Sequence, residues 1–246
     1  MRALVPASDP PLTARGSLRW GVVEPLLAGL HPATVREIGC GQGAVGARIA
    51  RHAAYTGVEP DAASYAVAAA RVTPRGGTVL NGDATVLPWG RKYDVVCAFE
   101  VLEHIEDDAA ALRTWLGHLR KGGHVVVSVP EGPERFGPSD VQVGHYRRYT
   151  EDSLRGVLGA AGLEVAQVVH YGWPLGYLLE RVSNRAAGQP AGESPAEQRS
   201  AGSGRWRQPG RAAGVALRVG VVPFVALQGR RRDQGTGLVA VARRPV

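Results

Sequence analysis

From residue 34 onward, short apolar runs alternate with stretches whose apolar positions recur every three or four residues. Short runs rich in β-branched residues and bounded by Gly, Pro, Asn or Asp read as strands, whereas the 3.6-residue period reads as helix. Strands are therefore expected at 34–39 (TVREIG), 54–59 (AYTGVE), 77–81, 93–98 (YDVVCA), 124–129 (HVVVSV), 163–171 and 237–243 (GLVAVAR). Helices are expected at 43–52, 61–71 and 107–119, then from Thr150 to Gly162, and again after Pro174 to about residue 184. Local signals agree: Asp61 stands where it can cap a helix, Glu151 and Asp152 fill a first turn, and Arg120, Lys121, Gly122 and Gly123 mark a helix end. Strands separated by helices imply a parallel sheet covered on both faces, so the fold class is α/β.

The two ends depart from this alternation. Residues 1–33 read as an N-terminal helical lid segment, 34–171 as the core, 172–235 as an insertion and 236–246 as the last strand of the core sheet. Within the insertion, about 187–211 is a Gly/Pro/Arg-rich linker too polar to offset its ordering entropy, and it is expected to be disordered. The apolar run at 212–227 is broken by Arg218 and Pro223. A spanning helix needs roughly 20 apolar residues, so this run reads either as a buried helix or as one lying on a membrane surface ahead of Arg230, Arg231 and Arg232. Residues 1–11 carry no apolar stretch of the secretory-leader kind.

Charge sharpens that division. The 246 residues carry 29 Lys plus Arg against 22 Asp plus Glu, a net charge of +7 that taken whole would point to nucleic acid. Residues 1–184, however, hold 18 basic and 19 acidic side chains, and residues 185–246 hold 11 and 3. The excess belongs to the C-terminal quarter, where only Trp206 and Phe224 interleave with the arginines, so nucleic acid is disfavoured and an anionic membrane surface is the preferred partner of that region. The two cysteines, Cys40 and Cys97, fall in apolar settings without metal-site spacing, which fits a reduced, cytoplasmic compartment, with the basic region allowing a membrane-peripheral location.

Candidate chemistry begins where strand one meets its helix, at Glu37-Ile38-Gly39-Cys40-Gly41-Gln42-Gly43. Glycines there let the backbone approach a ligand closely. The same stretch satisfies Gly41-x-Gly43-x-x-Gly46 with Glu59 at ribose-binding distance, so a dinucleotide-dependent oxidoreductase stays open on this motif alone. Glu37 ahead of the glycines favours a cationic ligand over a pyrophosphate. Asp83-Ala84 after strand three offers a carboxylate to an adenine amino group, and strand four runs into Glu100-x-x-Glu103-His104.

Together these residues resemble the class I S-adenosylmethionine-dependent methyltransferases, of the type 11 and ubiquinone-pathway O-methyltransferase kind, over residues 31–171 and the last strand. The resemblance implies a Rossmann-like three-layer sandwich whose seven-stranded, mostly parallel sheet ends in an antiparallel strand, the edge hairpin being opened here by residues 172–235. It implies that Glu37, Gly39, Gly41 and Gly43 line the S-adenosylmethionine loop, that Glu59 holds the ribose, and that Asp83, Ala84 and Glu100 complete the cofactor site. The run 119–123 (LRKGG) is similar to the family's turn before strand five, with Lys121 where proline is usual.

Methyl transfer from a sulfonium needs alignment above all, but a hydroxyl acceptor must also lose a proton. Glu100, Glu103 and His104 at helical spacing would share one face and could hold Mg²⁺, as in ubiquinone-pathway and small-RNA 2′-O-methyltransferases. A similar motif in metal-free relatives shapes the cofactor pocket instead, and that reading is preferred here. His145, in the connection after strand five, is the candidate general base, or a further ligand if an ion binds; its alternative role, shared with Tyr149, is to anchor that loop. Arg147 and Arg148 read as substrate contacts or as surface bridges to Asp140 and Glu151. Arg19 and Trp20 could belong to the lid, though core packing is the preferred reading of Trp20, and Trp89 reads either as part of the adenine pocket or as a surface aromatic. The expected activity is methylation of an oxygen on a small biosynthetic or lipid-linked acceptor, with an RNA 2′-hydroxyl as the alternative.

Overall fold

A computed structural model describes residues 9–86, 90–187, 211–231 and 233–246. Residues 188–210 of the linker read at about 187–211, together with Trp89 and Arg232, lie outside the described residues; Ala187 and Arg211 end and begin helices. A seven-stranded sheet has the order β3-β2-β1-β4-β5-β7-β6. Its strands are β1 (Thr34–Ile38), β2 (Ala54–Glu59), β3 (Thr78–Asn81), β4 (Tyr93–Phe99), β5 (Leu119–Pro130), β6 (Glu164–Gly172) and β7 (Gly235–Arg243). All neighbours run parallel except β7, which is antiparallel to both β5 and β6. This is the Rossmann-like arrangement the resemblance implied.

Strand parity sorts the core into two layers. Val125, Val127, Val129, Leu238 and Ala240 face one side, under Leu112 and Trp115 of α4 (Asp108–Leu116) and Leu154 and Leu158 of α6 (Glu151–Ala160). Val126, Val239 and Val241 face the other, beneath Leu18, Val23 and Leu27 of α1 (Ala14–Leu30) and Ala68 and Val72 of α3 (Ala62–Val72). Leu154 and Leu158, four apart on α6, are both fully buried. The caps read from sequence are present: Asp61 accepts from the Ser64 amide at 2.9 Å, and Thr150 accepts from Ser153 at 3.1 Å.

Several elements differ from expectation. The helix expected at 43–52 is regular only as α2 (Gly46–Ile49), because the glycine turn takes up the preceding residues. The glycine run at 122–123 lies inside β5, where the pairing with β4 shifts between Tyr93 and Val95, so it makes an irregularity within the strand. A helix not expected, α5 (Pro138–Val143), follows β5 and ends at Gly144 in the left-handed conformation.

Beyond β6 come α7 (Leu175–Ala187) and α8 (Arg211–Gln228). Gln228 fastens α8 to the body, donating to the Leu18 carbonyl of α1 at 2.9 Å and accepting from the Gly172 amide at 3.0 Å. Val221 is buried against the α1 layer while Val222 is exposed, so α8 lies along the protein with one face covered. Among the described residues no helix is long and apolar enough to cross a membrane.

Candidate active site

The carboxyl ends of β1, β2, β4 and β5 converge where the strand order reverses between β1 and β4, the usual place for a ligand in a doubly wound sheet. Gly39, Gly41 and Gly43 all take positive φ there. At Gly41 a side chain would meet nothing within 4 Å, so its missing Cβ leaves room on the ligand side of the turn. A cavity of about 190 Å³ opens at this point, lined by Arg19, Glu37, Gly39, Gly41 and Phe99 among others, and roofed by Leu12, Thr13 and Gly16 at the start of α1. The start of α1 and the residues before it thus border the same space as the glycine turn.

Glu37 is buried and accepts a 2.6 Å hydrogen bond from Tyr55. The tyrosine reaches it by crossing the face of Gly46, where a Cβ would collide with the ring and hydroxyl. Burial pushes the Glu37 carboxyl up to about 8, against the opposing pull of the Tyr55 hydroxyl and Arg19. Glu59 accepts from the amides of Gly41 at 2.8 Å and Asp61 at 3.0 Å, so it braces the glycine loop. Burial raises its pKa, and those two N–H donors oppose the rise. Asp83 is exposed and accepts from the Thr85 amide and hydroxyl, while Ala84 is buried and its carbonyl accepts from Arg36 at 2.5 Å. Both follow β3, outside the lining of the cavity.

Past Phe99 the chain does not enter a helix directly. Glu100 adopts a left-handed conformation, with φ of 58°, before a single 3-10 turn over Leu102–His104. The expectation that Glu100, Glu103 and His104 share one helical face is therefore corrected. The Glu100 carboxylate turns to Ser128 (3.0 Å), Tyr171 (2.9 Å) and Arg19 (3.6 Å), tying β4, β5, β6 and α1 together.

The ligand atoms that do converge belong to Glu103, His104 and His145, all within 4.8 Å of one another. Glu103 is fully buried, and neither carboxylate oxygen has a hydrogen-bond partner. Burial, with the nearby Glu100 charge, holds its carboxyl well above the ordinary range. Burial and the adjacent His145 lower His104 to about 4, leaving it neutral at physiological pH. His145 Nε2 stands 3.8 Å from Glu103, its ring is edge-on to His104 at 4.6 Å, and its Nδ1 lies 2.8 Å from Asp140.

The arginines after His145 separate in role. Arg147 bonds Asp108 and the Glu106 carbonyl, while Arg148 is buried and pairs with Asp140 and with Glu180 of α7. Neither bridges to Glu151, which pairs with Arg155 instead. Trp20 lines a separate cavity of about 1210 Å³ between α1 and α8. That larger space reaches His31, Pro32 and Ala53 near the amino ends of β1 and β2, and none of the glycines of the turn line it, so its size does not make it the site of this chemistry.

Comparison with known proteins agrees with this geometry. Residues 22–168 match the family model described as a methyltransferase domain. The chain is 30% identical over 123 residues to a ubiquinone biosynthesis O-methyltransferase of Nitrosomonas europaea, covering 48% of this chain and 52% of that one. It is 38% identical over 101 residues to a protein of the same name from a Methylobacterium species, covering 39% of each. The match thus spans about half the length of these relatives or less. Among solved structures, an S-adenosylmethionine-dependent methyltransferase from Mesorhizobium loti superposes with a TM-score of 0.61 at 17% identity, covering 94% of this chain and all of the other. The N-methyltransferase NodS from Bradyrhizobium japonicum, solved with S-adenosyl-L-homocysteine, gives 0.54 at 16% identity over 92% of this chain and 87% of its own.

Proposed function

We propose that this chain, a member of the methyltransferase-domain family, uses S-adenosylmethionine to methylate an oxygen of a small hydroxyl-bearing acceptor, with His145 as the proton acceptor. The observation that carries this reading is the convergence of His145 Nε2 on Glu103 and His104 just beyond β4, next to the Arg19–Glu100 contact that borders the glycine-lined cavity. The O-methyltransferase activity for which the relatives from Nitrosomonas europaea and Methylobacterium are named points the same way.

The bound cofactor supplies an activated methyl group on a sulfonium. The open space at Gly41, the buried carboxyl of Glu37 and the braced Glu59 fit its backbone-approaching, cationic and ribose parts. Leu12, Thr13 and Gly16 border the same space from the start of α1. His145 Nε2 would take the acceptor hydroxyl proton as the oxygen receives that methyl group, with S-adenosylhomocysteine as the other product.

A second reading is favoured by one observation, the pair of unpartnered buried oxygens on Glu103. Glu103, His104 and His145 would then hold a divalent cation such as Mg²⁺, which would make a bound hydroxyl more acidic. EDTA separates the two: activity lost and restored by Mg²⁺ supports the ion, and unchanged activity removes it.

The experiment is to incubate the protein with methyl-labelled S-adenosylmethionine and a panel of phenols, catechols, amines and short RNAs. A methyl ether on a small hydroxyl acceptor is expected. Exclusive transfer to nitrogen or to RNA would overturn the proposal. His145→Ala should lower turnover roughly 100-fold or more while leaving cofactor affinity within about twofold.

A further inference from the structure

The support behind His145 is as specific as the cluster in front of it. Asp140 lies in α5 and His145 five residues on, brought back beside it because Gly144 turns left-handed and the His145 amide donates to the Asp140 carbonyl at 2.9 Å. The Asp140 carboxylate then has both oxygens filled. Oδ1 takes His145 Nδ1 at 2.8 Å and Arg148 Nε at 2.9 Å; Oδ2 takes Arg148 Nη2 at 2.8 Å and the Gly137 amide at 2.9 Å.

Arg148 is itself held, with Nη1 donating to Glu180 of α7 and, at 3.4 Å, to the Glu131 carbonyl. A second point of α7, Asn184, accepts from the Ser139 amide at 3.1 Å and hydroxyl at 2.5 Å, gripping the first turn of α5. A carboxylate paired two-pronged with a guanidinium only accepts hydrogen bonds, so the remaining partner, His145 Nδ1, must donate. The lone pair of a neutral ring is left on Nε2, the atom nearest Glu103.

We propose that Asp140, fixed by Arg148 and through it by Glu180 of α7, is a positioning residue that locks His145 as the Nδ1–H tautomer with Nε2 presented to the Glu103–His104 space. The inference rests on the reading of His145 as the working imidazole, and it serves that ring equally as proton acceptor or as ligand. The segment beyond the core acquires a role as well, since α7 sets the orientation of a residue in the loop after β5. Removal of the partner behind a metal-ligating imidazole typically costs roughly 10–100-fold, and a loss of that order is expected here.

The deciding measurement is a long-range ¹H–¹⁵N spectrum of the full chain labelled in histidine, above neutral pH, with His145→Gln used to assign the ring. Wild type should show a protonated Nδ1 and an unprotonated Nε2 at His145. Asp140→Asn should mix or reverse the tautomers and lower kcat roughly 10–100-fold, with S-adenosylhomocysteine affinity unchanged. Glu180→Gln should lower kcat by less and without loss of fold, and it decides the matter if Asp140→Asn does not fold. An Nε2–H tautomer in wild type, or unchanged tautomer and kcat in the folded variants, overturns the proposal. If the tautomer is as stated but His145→Ala keeps full turnover, the catalytic reading of His145 fails while the positioning by Asp140 stands.

Discussion

Replacing Glu37 with Gln removes a carboxyl that burial pushes up to about 8, yet leaves an amide oxygen to accept the Tyr55 hydroxyl. An unfolded chain releases the proton of a glutamate near pH 4.3, so between that value and about 8 the folded chain holds a proton that the unfolded chain does not. Stability associated with this proton is complete below about pH 4.3 and is lost as the pH rises through about 8. At about 1.4 kcal/mol for each pH unit, the interval amounts to at most about 5 kcal/mol, comparable with the lower end of ordinary domain stability. Urea unfolding of both proteins from pH 5 to pH 9 measures it. The wild type should lose stability relative to Glu37→Gln by up to about 1.4 kcal/mol per pH unit, levelling off above about pH 8. A difference independent of pH would refute the assignment of the raised pKa to Glu37. The ammonium group of S-adenosylmethionine favours the charged carboxylate, so binding at pH 7 should release a proton from wild type and none from Glu37→Gln. Calorimetry in buffers of different ionisation enthalpy reads that release directly.

Further variants probe other parts of the molecule. Gly41→Val forces a β-branched residue to positive φ and fills the ligand side of the turn, so S-adenosylhomocysteine binding by calorimetry should vanish; retained affinity would remove the loop from the cofactor site. Gln228→Leu leaves the Leu18 carbonyl and the Gly172 amide without their partner and should cost about 1–3 kcal/mol for each buried group in urea unfolding, with cofactor affinity much less affected. Arg36 is fully buried, its Nε and Nη1 make no hydrogen bond, and burial lowers its pKa. Arg36→Met should therefore leave the urea midpoint unchanged or raise it, and a loss above about 3 kcal/mol would show that the contact to the Ala84 carbonyl outweighs the burial of charge.

The sheet was legible because each strand announces itself locally. The run at 93–98 and the run at 124–129 are β-rich and bounded by turn residues, and Asp61 and Thr150 cap helices with their own side chains. The glycine turn was legible for the same reason, since positive φ at three nearby positions admits few other residues. What was not legible depends on a single residue redirecting the chain. The spacing Glu100-x-x-Glu103-His104 reads as one helical face, but a left-handed Glu100 ahead of a three-residue turn sends its carboxylate toward Ser128 and Tyr171, leaving Glu103 and His104 to meet a histidine some forty positions away. In sequence, Gly144 is the one local hint that the chain reverses there, and α5 is too short to show a helical period.

Arg148 shows why the rest required the fold. Beside Arg147 in a polar stretch it reads as a surface residue, and the neighbours are alike in sequence. Their surroundings differ because Arg147 turns to Asp108 at the start of α4, whereas Arg148 is enclosed between Asp140 and Glu180. Glu180 lies 32 residues further along the chain, on a helix that the sequence marks only as apolar. Arg148 is buried with its charge paired to Asp140 and to Glu180, so its enclosure depends on α7 being docked. The same dependence runs on to His145 through the shared carboxylate of Asp140. A segment that looks like an addition to the core is thereby coupled to the ring proposed to do the chemistry, and changes in α7 that loosen Glu180 or Asn184 should be read first in kcat and only later in cofactor affinity.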